Sequence, residues 1–239
     1  MPRFYYPKKI DDVELLLPKE LAHHIRVIRL PENAEITLFD GFGGEYNAEI
    51  KKNEQKQLIA IVKKFILKEI ELPYQLSLVQ ALPEGSKMDW IVEKAVELGA
   101  HSVQPISTQR SVVKLSDERM GKRLSHWQNI AIAASEQCGR NTLMQIKSVT
   151  PFLSWITGQT DKTRLLFTPR ATQTLSEWTK NNPPRNMEII IGAEGGLSPE
   201  EEKAAINQGA IPLTIGKRIL RTETAGLAVL AMIQAIWEN

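Results

Sequence analysis

The sequence predicts an α/β protein in two parts, a β-rich segment over residues 1–72 and a parallel-sheet domain over residues 73–239. Two observations carry this. In the first part short apolar stretches are separated by hairpin-type turns. From Gln75 onward strand-like and helix-like segments alternate, the pattern of a parallel sheet covered by helices. The 239 residues, 42% of them hydrophobic, suffice for two packed cores.

Residues 36–40, 45–51 and 58–66 read as strands, the first two joined by Asp40-Gly41-Phe42-Gly43-Gly44, a hairpin composition. One helix falls between residues 18 and 30, with Pro18 in its first turn and Leu21, Ile25 and Ile28 on one face. Pro73, beyond the charged residues 68–71, marks the boundary.

Residues 76–82 form the next strand. Ser86 caps a helix with the apolar stripe Met88, Ile91, Val92, Ala95 and Val96, and Gly99 ends it. Residues 103–107 complete a βαβ unit. A long helix over 117–138 puts Met120, Leu124, Trp127, Ala131, Ala134 and Cys138 on a core face, and the potential cations Arg119, Lys122, Arg123 and His126 on another. Residues 164–168 and 188–191 are short buried strands, followed by helices from Thr174 and Ser198. The second of these opens with the capping box Ser198-Pro199-Glu200-Glu201. Residues 211–215 are the last strand, and Thr222 starts an apolar helix to about Trp237.

Composition narrows the function. No apolar run approaches the roughly 20 residues of a membrane span. The start carries no secretion signal, and the single cysteine, Cys138, fits a cytoplasmic protein without disulfides. The four histidines lack metal-ligand spacing, so no metal is expected. Net charge is +2, but residues 101–150 hold seven basic and three acidic side chains, either a docking surface for a polyanion or a solvated helix face.

Two connections stand out. After the strand ending at Ile191 comes Gly192-Ala193-Glu194-Gly195-Gly196, whose glycines let the backbone approach a ligand closely. It falls at the carboxyl end of a strand, where open α/β sheets bind ligands; a tight strand-to-helix turn has the same composition. After the last strand, Gly216-Lys217-Arg218-Ile219-Leu220-Arg221 puts cations at the same end of the sheet, for an anionic substrate or as a basic surface turn. P-loop, dinucleotide-binding and nucleophile-elbow patterns are absent. That counts against kinases, dehydrogenases and serine hydrolases.

Read together, residues 191–198 and 215–225 resemble the signature of the ribosomal RNA small-subunit uridine-N3 methyltransferases, within the SPOUT superfamily of knotted methyltransferases. The likeness extends through residues 82–99, Arg110-Ser111-Val112-Val113, Glu136-Gln137-Cys138-Gly139-Arg140, His23-His24, Val27-Ile28-Arg29 and Phe39-Asp40-Gly41, nearly the whole chain. It implies an N-terminal PUA-like RNA-binding β-barrel and a C-terminal domain with a trefoil knot. It also implies a homodimer that methylates N3 of one uridine of 16S rRNA in the small subunit, turning S-adenosylmethionine into S-adenosylhomocysteine.

Carried onto this chain, the resemblance implies cofactor contacts from Leu166, Thr168, Gly192, Glu194, Gly195, Gly196, Ile215, Gly216, Ile219, Leu220, Thr222 and Ala225. Arg221 would stabilise negative charge on the uracil or fix its phosphate. Glu194 would orient the cofactor or accept the imide proton. Arg29, Arg110, Arg123 and Arg140 would take RNA phosphates. Two departures stand out: Ala193 replaces the family's usual proline, implying a loop less preorganised but chemically intact, and Cys138 replaces a frequent serine. A non-catalytic assembly factor, or a sister methyltransferase acting on transfer RNA or a ribose hydroxyl, are the competing readings.

Overall fold

The computed structural model describes residues 1–111 and 117–238. It divides into two compact units, Met1–Glu71 with Ser135–Leu143, and Leu72–Ala134 with Met144–Asn239.

The first unit holds β1 (Arg3–Tyr5), β2 (Glu14–Leu16), α1 (Lys19–Val27), β3 (Glu35–Phe39), β4 (Glu45–Lys52) and β5 (Leu58–Ile66). They form one mixed sheet in the order β1-β3-β4-β5-β2, in which only β1 and β3 run parallel. The expected strands are all present. β1 and β2 are additional, three residues each, too short to show a period. Gly41, Gly43 and Gly44 take positive φ in the β3–β4 turn, a region open to glycine without strain. Pro18 precedes the first helical residue, and α1 stops at Val27, which leaves Ile28 exposed and outside the face expected for it. Leu21, Ala22 and Ile25 pack instead with Phe4, Leu15, Ile36, Leu38 and Ile50.

The segment Ser135–Leu143 is built into this unit by polar contacts. Glu136 accepts the Tyr5 N–H at 2.9 Å, and Arg3 donates to the Arg140 carbonyl at 2.7 Å. Arg140 grips Glu71 with two hydrogen bonds, 2.8 and 2.5 Å long. Its guanidinium is therefore not available to RNA: the residue is only 3% exposed, and its fork is matched to a carboxylate. Arg140→Ala leaves Glu71 without its cation. The expected cost is about 3–5 kcal/mol, as for breaking a buried ion pair, read as a lower denaturant midpoint.

The second unit holds β6 (Leu76–Ala81), α2 (Lys87–Glu97), β7 (Ser102–Ser107), α3 (Asp117–Cys138), β8 (Gln145–Ile146), β9 (Thr150–Pro151), α4 (Phe152–Ile156), β10 (Thr163–Phe167), α5 (Leu175–Thr179), β11 (Met187–Ile191), α6 (Pro199–Asn207), β12 (Ile211–Leu213) and α7 (Thr222–Trp237). The last residues of α3 belong to the first unit. All strands run parallel in the order β12-β10-β11-β6-β7-β8, with β9 also on β7. β6 is buried at every residue, as a central strand with both faces covered requires.

The apolar stripe of α2 is buried as expected, although Ser86 makes no side-chain cap. In α3, Trp127, Ala131 and Ala134 are buried, while Met120, Leu124 and Cys138 are only half-buried, so the core face is shorter than the periodicity implied. Asp89 of α2 receives Trp127 Nε1 at 3.0 Å and lies 2.9 Å from His126 Nε2, which ties the two helices together. Both α5 and α6 begin with complete capping boxes.

Candidate active site

β10, β11 and β12 stand next to one another and end in register, Phe167 beside both Ile191 and Leu213. Their continuations bound one cavity of about 420 Å³, within the roughly 300–1,000 Å³ of small-molecule sites. Thr168 enters from the end of β10; Gly192, Glu194 and Gly196 from the loop after β11; and Ile215, Ile219 and Leu220 from the loop after β12. Arg221, Thr222 and Ala225 close it from the start of α7. The two glycine-bearing loops, 24 residues apart by their first glycines in the sequence, are thus walls of a single site.

Three expected contacts fall outside the cavity lining. Leu166 points into the core with Val79, Ile190 and Ala205, because successive strand residues face opposite sides and Phe167 takes the cavity side. The Gly195 carbonyl accepts from Arg110 Nη1 at 2.6 Å, and the Gly216 carbonyl from Thr214 Oγ1 at 3.1 Å.

The loop after β11 is locked by a buried relay. Gln80 of β6 donates to Thr222 Oγ1 at 2.9 Å, and Thr222 donates to the Gly192 carbonyl at 2.6 Å. Gly192 must be glycine: a Cβ there would lie 2.9 Å from three backbone atoms of Gly196 and Leu197. The turn closes with Gly196 N–H on the Ala193 carbonyl at 2.8 Å. Ala193 is buried, keeps a negative φ, and its own N–H donates no hydrogen bond among the described residues. Proline is therefore compatible there. Ala193→Pro should stabilise the protein by about 0.4–1 kcal/mol through a stiffer unfolded chain, seen as a higher melting temperature; a lower one would reveal a clash.

Lys87 opens α2, which follows β6 at the same end of the sheet; it lies inside the matched stretch 82–99, but nothing local in the sequence marks it as part of the site. Lys87 Nζ lies 2.6 Å from Glu194 and 4.0 Å from Glu223. Burial pushes the Glu194 carboxyl up. The Lys87 ammonium and the N–H groups of Glu194 itself and Glu84 outweigh it and hold the carboxyl below its ordinary range. Glu194 is thus an ionised hydrogen-bond acceptor and a weak base, which favours the orienting role over proton abstraction.

Of the cations expected at RNA, Arg110 is exposed and leans on the 192–196 loop; the Gln109 N–H on Glu201 at 2.8 Å anchors its backbone. Arg123 is half-buried on α3, and Arg29 is exposed after α1 in the first unit, at a positive φ of 56°. Val112 and Val113 lie outside the described residues.

A ligand-sized cavity at the carboxyl ends of a parallel sheet, walled by two glycine-bearing loops, defines a cofactor-binding α/β domain. The RNA methyltransferase domain model matches residues 70–234, and the RNA methyltransferase PUA domain model residues 17–63. The chain belongs to the RNA methyltransferase family. It is 32% identical over 98% of its length to the ribosomal RNA small subunit methyltransferase E of Buchnera aphidicola (subsp. Schizaphis graminum), 96% of which is covered. It is also similar to the crystal structure of that enzyme from Neisseria gonorrhoeae bound to S-adenosyl methionine, with TM-score 0.90, 34% identity, and 99% and 98% of the two chains covered. A putative methyltransferase of Legionella pneumophila, in complex with the cofactor SAM, gives TM-score 0.92 and 32% identity, with the same coverage. No described helix is long and apolar enough to cross a membrane.

Proposed function

We propose that the protein methylates N3 of one specific uridine of 16S rRNA in the small ribosomal subunit, using S-adenosylmethionine, as a homodimer in the cytosol. The observation that carries the reading is the cavity formed jointly by the 192–196 and 215–220 loops, in a chain similar over nearly its full length to small-subunit RNA methyltransferases. The trefoil knot, the PUA-like barrel over residues 1–72 and the SPOUT domain over 73–239 are part of the same reading.

The residues present fit this cofactor. Ile191, Ile215, Ile219 and Leu220 offer an apolar wall for a flat purine, and the Glu194 carboxylate suits a cationic ligand. Ile219, 81% exposed, is the large apolar side chain that a bound ligand would cover. When bound, S-adenosylmethionine supplies an electrophilic methyl group on a sulfonium.

The rest falls to the protein's own groups. Thr222 and Gln80 hold the 192–196 loop rigid. Arg221 stands at the rim and stabilises negative charge on the uracil. N3 lies on the Watson–Crick edge, so the base must be unpaired and swung into the cavity. Arg110, Arg123 and Arg29 take phosphates, which position the RNA without reading its sequence.

The experiment supplies methyl-labelled S-adenosylmethionine and small subunits lacking the modification, then identifies the labelled nucleoside by mass spectrometry. Label in 3-methyluridine is expected. Label in another nucleoside would move the protein to a sister activity, and no label despite cofactor binding would favour an assembly factor.

A further inference from the structure

Glu223 is the one carboxylate of the cavity lining that the fold leaves without a hydrogen bond among the described residues. It lines the cavity from the first turn of α7, its side chain is 15% exposed, and Oε2 is buried without a hydrogen-bond partner. Lys87 Nζ at 4.0 Å is beyond hydrogen-bond range and is engaged with Glu194 at 2.6 Å. A buried carboxylate oxygen without a donor is destabilising, so a fold that keeps one at a ligand cavity implies a donor arriving with the ligand. Glu194 differs, since its Oε1 already receives Lys87 Nζ and the Glu84 N–H.

We propose that Glu223 accepts the N3 proton of the uracil, and that Lys87 and Arg221 flank it to read the uracil edge. This rests on 3-methyluridine being the product. The uracil edge presents an acceptor, a donor and an acceptor at O4, N3–H and O2, and its complement is donor, acceptor, donor. An ammonium, a carboxylate and a guanidinium on one cavity supply those types. Cytosine carries a lone pair at N3 and would meet the carboxylate with repulsion, so the same group selects the base.

The step balances. The N3–H proton passes to Glu223 Oε2, the nitrogen pair forms the new N–CH3 bond, and the C–S bond breaks with its electrons remaining on sulfur. The sulfonium becomes a thioether. The charged groups that line the same cavity as Glu223 are Lys87 from α2, Glu194 from the loop after β11, and Arg218 and Arg221 from the segment before α7. A carboxylate is a weak base toward an imide. It serves here because Arg221 stabilises the negative charge that develops on the uracil as the proton leaves, in the same step in which the methyl group arrives.

The test is Glu223→Gln, assayed on unmodified small subunits between pH 6 and 9 beside calorimetry of S-adenosylmethionine binding. The expected result is a fall in kcat/KM of about 100-fold or more, with cofactor affinity unchanged. The variant's rate should then climb about tenfold per pH unit, as solvent ionisation of the imide replaces the carboxylate; wild type should lack that climb. Glu223→Asp retains a carboxylate, should show partial activity without the climb, and serves if the glutamine variant does not fold. Wild-type rates in Glu223→Gln would overturn the proposal. So would lost cofactor affinity at unchanged kcat, which would assign Glu223 to the ligand's ammonium group. A product other than 3-methyluridine, or no product, would already show with wild type; the functional reading then fails first and takes this proposal with it.

Discussion

Gly192→Ala is expected to weaken S-adenosylmethionine binding by about tenfold to a hundredfold while leaving the first unit intact. The new methyl group would sit 2.9 Å from Gly196 C and Cα and from Leu197 N, all of them backbone atoms. Backbone cannot swing aside as a side-chain tip can, so the 192–196 loop must open. That pulls the Gly192 carbonyl from Thr222 and releases Gln80, whose amide is buried in the relay. Overpacking of this kind costs about 1–3 kcal/mol, and each 1.4 kcal/mol is roughly tenfold in affinity. Calorimetry of cofactor binding measures it. A Gly192→Ala protein that binds as wild type does would mean that the loop is not part of the cofactor site.

Arg221→Ala should lower kcat by about 100- to 1,000-fold, the range for removing one donor that stabilises developing negative charge. Stability should hold or rise slightly. Arg221 is the N-cap residue of α7; its side chain makes no cap and no ion pair among the described residues. A cation at a helix N-terminus opposes the helix dipole by about 0.3–1 kcal/mol. An unpaired arginine at the wrong end of a helix, exposed on the rim of a cavity, is a local conflict of the kind that functional sites retain. Single-turnover methylation measures the first effect, and thermal unfolding the second. A variant that loses stability and activity in parallel would show Arg221 to be structural. Lysine should restore only part of the rate, since it lacks the planar fork.

The parallel-sheet domain and the two loops that bound its cavity were legible in the sequence. Buried strands followed by glycine-bearing loops state their role locally, and the strand ending at Ile191 and the helix opening at Thr222 appear where periodicity put them. Capping at Ser198 and the helix start at Thr174 were equally local. The two-residue strands β8 and β9 and the five-residue α4 were not, because they are shorter than the periods by which elements are recognised.

What the sequence by itself determined is therefore the longer elements and the two loops that could meet a ligand. What only the tertiary structure decided is which side chains remain free to act. Arg140 reads as an RNA contact until Glu71, 69 residues earlier, is seen to bury it. Glu194 reads as a group that orients the cofactor or takes a proton until Lys87, 107 residues away in the chain, is seen to occupy it, and the unpartnered oxygen of Glu223 shows only in the fold. Chemical type is written in the residue. Availability depends on partners brought from far along the chain, and burial and pairing exist only once the chain has folded.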